Sequence, residues 1–149
     1  MMGMRFQGRG LVDGEGLGPA LVSEKPISFL GGVDPKTGLI IEKGHPLQGE
    51  LVKGKVLVFP RGKGSTVGSY VIYSLRVNGV SPAAFIALEA EPIILAGCAI
   101  AGIPLMDRPK PNPIGIVRDG DILYVNGGSG EAFKVDGEGY FKPLIKAKT

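Results

Sequence analysis

The residues best suited to chemistry lie in one short stretch, Pro60-Arg61-Gly62-Lys63-Gly64-Ser65-Thr66-Val67-Gly68-Ser69. Glycines there let the backbone approach a ligand closely. Ser65 is expected at a helix N-cap, where unpaired N–H groups and the positive end of the helix dipole favour an anion. Arg61 and Lys63 flank it with positive charge. Three chemistries compete for this stretch. A phosphate loop requires Gly-Lys-Ser/Thr after its glycine gap, but here Lys63 precedes Gly64. A dinucleotide turn requires Gly-x-Gly-x-x-Gly, and Gly62, Gly64 and Val67 miss it by one position. A serine hydrolase would pair Ser65 with His45, the only histidine, yet a nucleophile elbow needs glycine at positions 63 and 67. His45 itself lies in Gly44-His45-Pro46, which reads as a surface turn. A plain capped turn between a strand and a helix remains the bland alternative.

The elements that must position this stretch are legible around it. Lys55 to Phe59 reads as a buried strand, Thr66 to Asn78 as a helix and Ala83 to Leu88 as a further strand, which together make a βαβ unit. Ligands of open α/β sheets gather where such strands end. Val67, Tyr70, Val71, Ser74 and Leu75 recur at helical spacing and predict the packed face, with Gly79 as the stop. Arg5 to Val12, Ala20 to Ser23 and Ile27 to Leu30 read as short strands, with Asp13 to Pro19 a loop. Ile93 to Ala101 reads as a helix that packs closely through Ala and Gly, in preference to a strand and turn. Ile103 to Met106 and Ile114 to Val117 read as strands separated by a proline-rich loop, Asp107 to Pro113. Ile122 to Val125, Asn126-Gly127-Gly128 and Glu131 to Val135 read as a hairpin. The expectation is a single α/β, β-rich domain over residues 1–149, a barrel-like sheet with one clear βαβ crossover.

Composition narrows the function. The chain has 149 residues, 44% of them apolar and 21% charged, which is globular rather than disordered. Its 25 glycines and 12 prolines imply many tight turns and argue against a helix bundle. The net charge of +3 is mild and aromatics make up only 7%, so no nucleic-acid platform is expected. The longest uncharged run, Pro92 to Met106, is too short to span a membrane, and the N-terminal residues lack a signal-peptide core, so a cytoplasmic protein is expected. One cysteine, Cys98, reads as a small buried hydrophobe and is too few for a metal or iron–sulfur cluster held by this chain alone. Asp34 reads as a turn former, Asp107-Arg108 as a local ion pair and Lys110 as part of a solvated loop.

Larger blocks carry a resemblance. Ser23-Glu24-Lys25-Pro26-Ile27-Ser28-Phe29-Leu30-Gly31-Gly32-Val33-Asp34-Pro35, His45-Pro46-Leu47-Gln48-Gly49, Gly54 to Pro60 with Ser65 to Tyr70, and Ile103-Pro104-Leu105-Met106-Asp107 together resemble the phosphomevalonate dehydratase small-subunit family. That family is of the aconitase-X group and shares the aconitase swivelling β/β/α domain. The resemblance implies a large partner subunit carrying a 4Fe–4S cluster. It also implies dehydration of (R)-5-phosphomevalonate, a small phosphorylated hydroxy acid, to trans-anhydromevalonate 5-phosphate in an archaeal-type mevalonate route. Aconitase-like swivelling domains carry a Gly-Ser-Ser-Arg-Glu-His motif whose serine removes the proton. Gly64-Ser65-Thr66 stands at its first three positions, so Ser65 inherits the proton-acceptor role, while Val67-Gly68-Ser69 replaces Arg-Glu-His. Arg61, Lys63, Gly64 and Thr66 are then the candidate substrate-binding residues. An iron site with an open position acts as a Lewis acid on the departing hydroxyl, and a serine alkoxide is usable only where N–H groups and cations hold it in a dry site. A related hydro-lyase for another hydroxy acid and a non-catalytic anion-binding module are the alternatives.

Overall fold

A computed structural model describes residues 3–135. The single-domain expectation over 1–149 reaches into 1–2 and 136–149, which lie outside the described residues. The strands are β1 (Arg5–Val12), β2 (Glu15–Val22), β3 (Ile27–Ser28), β4 (Val56–Phe59), β5 (Gly62–Lys63), β6 (Ala84–Ala87), β7 (Leu105–Lys110), β8 (Ile122–Asn126) and β9 (Glu131–Lys134). The helices are α1 (Gly68–Val77), between β5 and β6, and α2 (Pro92–Ala101), between β6 and β7. Seven strands close a barrel in the order β1-β7-β6-β4-β2-β8-β9, with β9 pairing back onto β1. Strands β3 and β5 form a separate two-stranded piece. No helix among the described residues is long and apolar enough to cross a membrane.

Period-two alternation builds two cores from the same strands. Val56 and Val58 of β4, with Ala84 and Ile86 of β6, point into the barrel against Phe6, Met106, Leu123 and Val125. Leu57 and Phe59, with Phe85 and Ala87, point outward under the helices. Phe29 joins Phe59 and Phe85 there, at ring-centroid distances of 6.3 and 5.8 Å. Each such buried ring contributes about 1.5–3 kcal/mol. Strands buried on both faces read as continuous apolar runs and take helical crossovers. β2, β4, β6 and β7 are parallel neighbours, so their carboxyl ends share one rim.

The structure has two helical crossovers, because α2 links β6 to β7 as α1 links β4 to β6. The fit between the helices depends on Gly97, where a Cβ would stand 2.7 Å from Ile72 Cδ1 and 3.2 Å from Ser69 Cα. The packed stripe of α1 is Gly68, Val71, Ile72 and Leu75. Val67 and Tyr70, expected on that face, are 46% and 65% exposed, because the contact with α2 at Gly97 turns the helix about its axis. Regular helix begins at Gly68, two residues later than expected.

Three segments differ from the sequence expectation. Glu15 to Pro19 belongs to β2 rather than to a loop. Its glycines admit neighbouring backbone: a Cβ on Gly16 would collide with the Ala83 carbonyl, and one on Gly18 with that of Gly54. Asp107 to Lys110 extends β7 rather than a loop. Pairing with β6 ends at Asp107, so the missing N–H of Pro109 costs that ladder nothing. Ile114 to Val117 is a turn held by Val117 N donating to Pro113 O, with only an isolated bridge.

Asp107 and Arg108 do not pair with each other, because successive strand residues point to opposite faces. Asp107 is fully buried and accepts both prongs of Arg9 at 2.8 Å, plus the Ala90 N–H. Arg108 instead forks onto Glu89 at 3.0 Å. Burial raises the Asp107 pKa, but the hydrogen bonds from Arg9 and Ala90, with the charges of Arg9 and Arg108, outweigh it and leave the carboxyl below its usual range. A depressed carboxyl stabilises the fold above its unfolded pKa and loses that contribution as pH falls through the folded value. Urea midpoints measured from about pH 6 to about pH 3 should therefore drop less in D107N than in the parent, with the difference opening below about pH 4. Parallel curves would remove Asp107 as a source of acid sensitivity.

Candidate functional site

The Gly62–Val67 turn leaves β4 at the carboxyl rim of the parallel strands. Backbone pairing continues past the strand ends there: Leu88 N donates to Phe59 O, Glu89 N to Pro60 O and Arg108 N to Leu88 O. The turn is fixed at three points. Gly62 and Lys63 pair in parallel with Ile27 and Ser28. The Gly62 N–H donates to Glu91 Oε1 at 3.1 Å. The other oxygen of Glu91 accepts from Ile93 N and caps α2, so one carboxylate ties the turn to the second helix. A Cβ on Gly62 would stand 2.6 Å from Glu91 Oε1, so glycine is required for this approach.

Ser65 is exposed on the outside of the turn. It is not the N-cap of α1, a position taken by Val67. A short turn of 3₁₀ type precedes the helix, with Gly68 N donating to Ser65 O, Ser69 N to Thr66 O and Tyr70 N to Val67 O. The Ser65 hydroxyl oxygen accepts from the Val67 N–H at 3.1 Å. One N–H, from the residue two positions on, holds this hydroxyl, while those of Gly68, Ser69 and Tyr70 are taken by carbonyls of the turn, so the unpaired N–H groups expected at a helix start are not found at these residues. Thr66 is also exposed, and its carbonyl accepts a hydrogen bond from the Ser69 hydroxyl.

The two cations flanking Ser65 are in different states. Lys63 Nζ lies 2.8 Å from Glu42 Oε2. Arg61 is exposed and its guanidinium has no partner among the described residues. Its carbonyl accepts from Ile27 N and its charge is uncommitted. Glu42 escaped the sequence analysis because it lies in a polar loop twenty-one residues from Lys63, with no local spacing to mark it.

His45 does lie in a turn, its N–H donating to Glu42 O and its carbonyl accepting from Gln48 N, and its neighbours Gly44 and Pro46 are exposed, but the residue itself is turned inward and only 7% exposed. Nδ1 accepts from Leu47 N at 3.0 Å, so the ring proton sits on Nε2, which donates to Pro26 O at 3.1 Å with Ser23 Oγ nearby at 3.4 Å. Both nitrogens are thus committed away from Ser65, and no Ser65–His45 pair forms. Asp34 is the expected turn former, its carboxylate accepting from Lys36 N. Cys98 is buried between the layers, and burial, with Glu91 nearby, pushes its thiol above the usual range. No three His, Cys, Asp or Glu side chains gather as a metal site among the described residues. A groove of about 530 Å³ lies along Val22, Pro46, Leu47, Ile114, Val117 and Arg118, and does not include Ser65.

Gly64 gives the turn its shape. Its φ is +90°, and a Cβ there would stand 2.8 Å from Ser28 Oγ. A left-handed residue with a side chain costs about 1–2 kcal/mol. G64A should lose about that much in denaturant unfolding, with amide shifts confined to residues near Ser28 and the turn. Unchanged stability would show that the backbone tolerates the Cβ.

With the geometry in place, comparison with known proteins is direct. The family described as "Aconitase X swivel domain" matches residues 5–135. A protein of Methanocella arvoryzae named phosphomevalonate dehydratase small subunit is 58% identical over 127 residues, covering 85% of this chain and 96% of that protein. A protein of the same name from Methanosarcina mazei is 51% identical over 144 residues, covering 95% and 99%. The crystal structure of Thermococcus kodakaraensis aconitase X in its holo-form is 44% identical, with a TM-score of 0.85 over 90% of this chain and 100% of that one. The match runs from the first barrel strand through the last, and on that ground the chain belongs to the aconitase X swivel domain family.

Proposed function

We propose that this chain is the small subunit of a hydro-lyase of the phosphomevalonate dehydratase type, with Ser65 as proton acceptor. The substrate is (R)-5-phosphomevalonate and the product trans-anhydromevalonate 5-phosphate. The observation that carries the reading is the exposed Ser65 hydroxyl, whose oxygen is held by the Val67 N–H, four residues along the chain from the uncommitted Arg61. Relatives named phosphomevalonate dehydratase small subunit, at 51–58% identity over most of the chain, supply the substrate.

Loss of water requires the proton on the carbon beside the carboxylate to leave together with the neighbouring hydroxyl. In this reading Ser65 takes that proton as an alkoxide. An N–H donor stabilises the alkoxide, and a nearby cation lowers its cost. Arg61 is the cation available for the substrate's phosphate or carboxylate, and a guanidinium binds either as a two-pronged donor. The peptide groups of Gly64 and Thr66 line the same turn. Residues of this chain do not fit an iron–sulfur cluster: Cys98 is buried and its thiol is held protonated. The 4Fe–4S cluster is therefore assigned to a larger partner subunit, whose surface closes over the exposed turn and excludes water.

The test uses the reconstituted two-subunit enzyme under anaerobic conditions. S65A should co-purify with the partner and lose about 100-fold or more in kcat. R61A should raise KM for the phosphorylated substrate about tenfold, the scale of one charge-assisted hydrogen bond. Full activity of S65A in an assembled complex would overturn the assignment. Preference for an unphosphorylated hydroxy acid would move the substrate elsewhere in the family.

A further inference from the structure

Glu42 sits where three parts of the site meet. Its Oε1 accepts the Ser28 N–H at 3.0 Å and its Oε2 lies 2.8 Å from Lys63 Nζ. Its own N–H donates to Gly32 O. Ser28 and Lys63 are register partners in the two-residue pair of β3 and β5, and Ser28 Oγ abuts Gly64. So one carboxylate secures both strands immediately before the turn that presents Ser65. The loop that carries Glu42 is itself anchored, because His45 bonds across to Pro26 and lies against Ser23.

The same carboxylate decides what charge the turn shows. A pair this close to the surface is worth little as stability. It nevertheless cancels a unit charge two residues from Ser65. An anion approaching the turn meets Arg61 as a full cation and Lys63 as half of an ion pair. Burial raises the Glu42 pKa, but the hydrogen bonds from Lys63 and Ser28, with the charge of Lys63, outweigh it, so the carboxyl lies below its usual range and stays ionised near neutrality.

We infer that Glu42 is a positioning residue of the site, restraining Lys63 so that Arg61 alone binds the substrate's anionic group tightly. Lys63 is then a restrained cation rather than a substrate ligand. The inference rests on the proposed function for the identity of the anion, and it goes further by separating the roles of the two cations. The physical reason for such restraint is differential binding. A second free cation would tighten ground-state binding of a phosphorylated acid without helping proton removal. It would also draw the substrate's charge toward Lys63 and away from the geometry that Ser65 needs.

The test is a charge-release cycle of E42Q, K63Q and the double variant. Glutamine keeps an oxygen for the Ser28 N–H, so the turn stays folded while Lys63 is freed. In the full chain alone, inorganic phosphate titrated against the amides of residues 61–68 should bind roughly threefold to tenfold tighter to E42Q. That gain should vanish in E42Q/K63Q. In the reconstituted enzyme, E42Q should lower KM and kcat together, K63Q, which leaves the Glu42 charge uncancelled, should raise KM, and E42Q/K63Q should return KM close to the parent value. An E42Q effect that persists in the K63Q background, or equal phosphate affinity in all four proteins, overturns the inference even if the enzyme dehydrates its substrate. A phosphate gain in E42Q that needs Lys63, beside a complex that dehydrates nothing, upholds the restraint and sinks only the enzymatic reading.

Discussion

β4 and β6 have no exposed face, and the rest of the molecule follows from how that burial is satisfied. Their inward side chains fill the barrel and their outward ones lie under the two helices. Parallel strands buried on both sides need crossovers long enough to return the chain to the same end. Those crossovers bring Pro60, Leu88 and Arg108 to a shared rim, where their backbone bonds knit together. The turn carrying Ser65 is thus anchored by the most deeply buried part of the protein, yet its hydroxyl faces water. A rigid scaffold with a loop at its edge suits a group whose position matters to chemistry.

Carboxylates do the fine positioning. Glu91 joins the turn to α2, Asp107 joins β1 to the segment before α2, and Glu42 joins β3 to β5. In each case one side chain accepts from two separate parts of the chain. Such groups cost solvation when they fold and return it only if every oxygen finds a donor. No buried side-chain nitrogen or oxygen is left unpaired among the described residues, so that condition is met. The result is a rim with many charges and few free ones, in which Arg61 stands out.

Local signals carried much of this into the sequence. The apolar run Val56 to Phe59, the glycine turn and the helix after it are all continuous in the chain, so their order could be read from spacing alone. The second helix was legible in part, through the small residues that let it approach α1. What stayed hidden was set by partners distant in sequence. Gly16 and Gly18 look like turn residues until the carbonyls of Ala83 and Gly54 are seen against them. His45 looks exposed because its neighbours are, and its inward ring is explained only by Pro26 and Ser23. The outward face of α1 was misread for the same reason: periodicity gives the width of a stripe, while the contact with α2 fixes its direction. Glu42 had no motif at all.

Closure of the main sheet has a consequence for assembly. With β9 paired to β1, no strand of the barrel offers an open edge of unpaired peptide groups. A binding protein cannot extend this sheet by adding a strand, and a second copy cannot template onto it. Recognition by the barrel must run through side chains, where each contact can change by single substitutions without disturbing the hydrogen-bond ladder, and among the described strands only the small β3–β5 pair lies outside the closed sheet. A fold closed in this way can acquire a new companion while its own architecture stays intact.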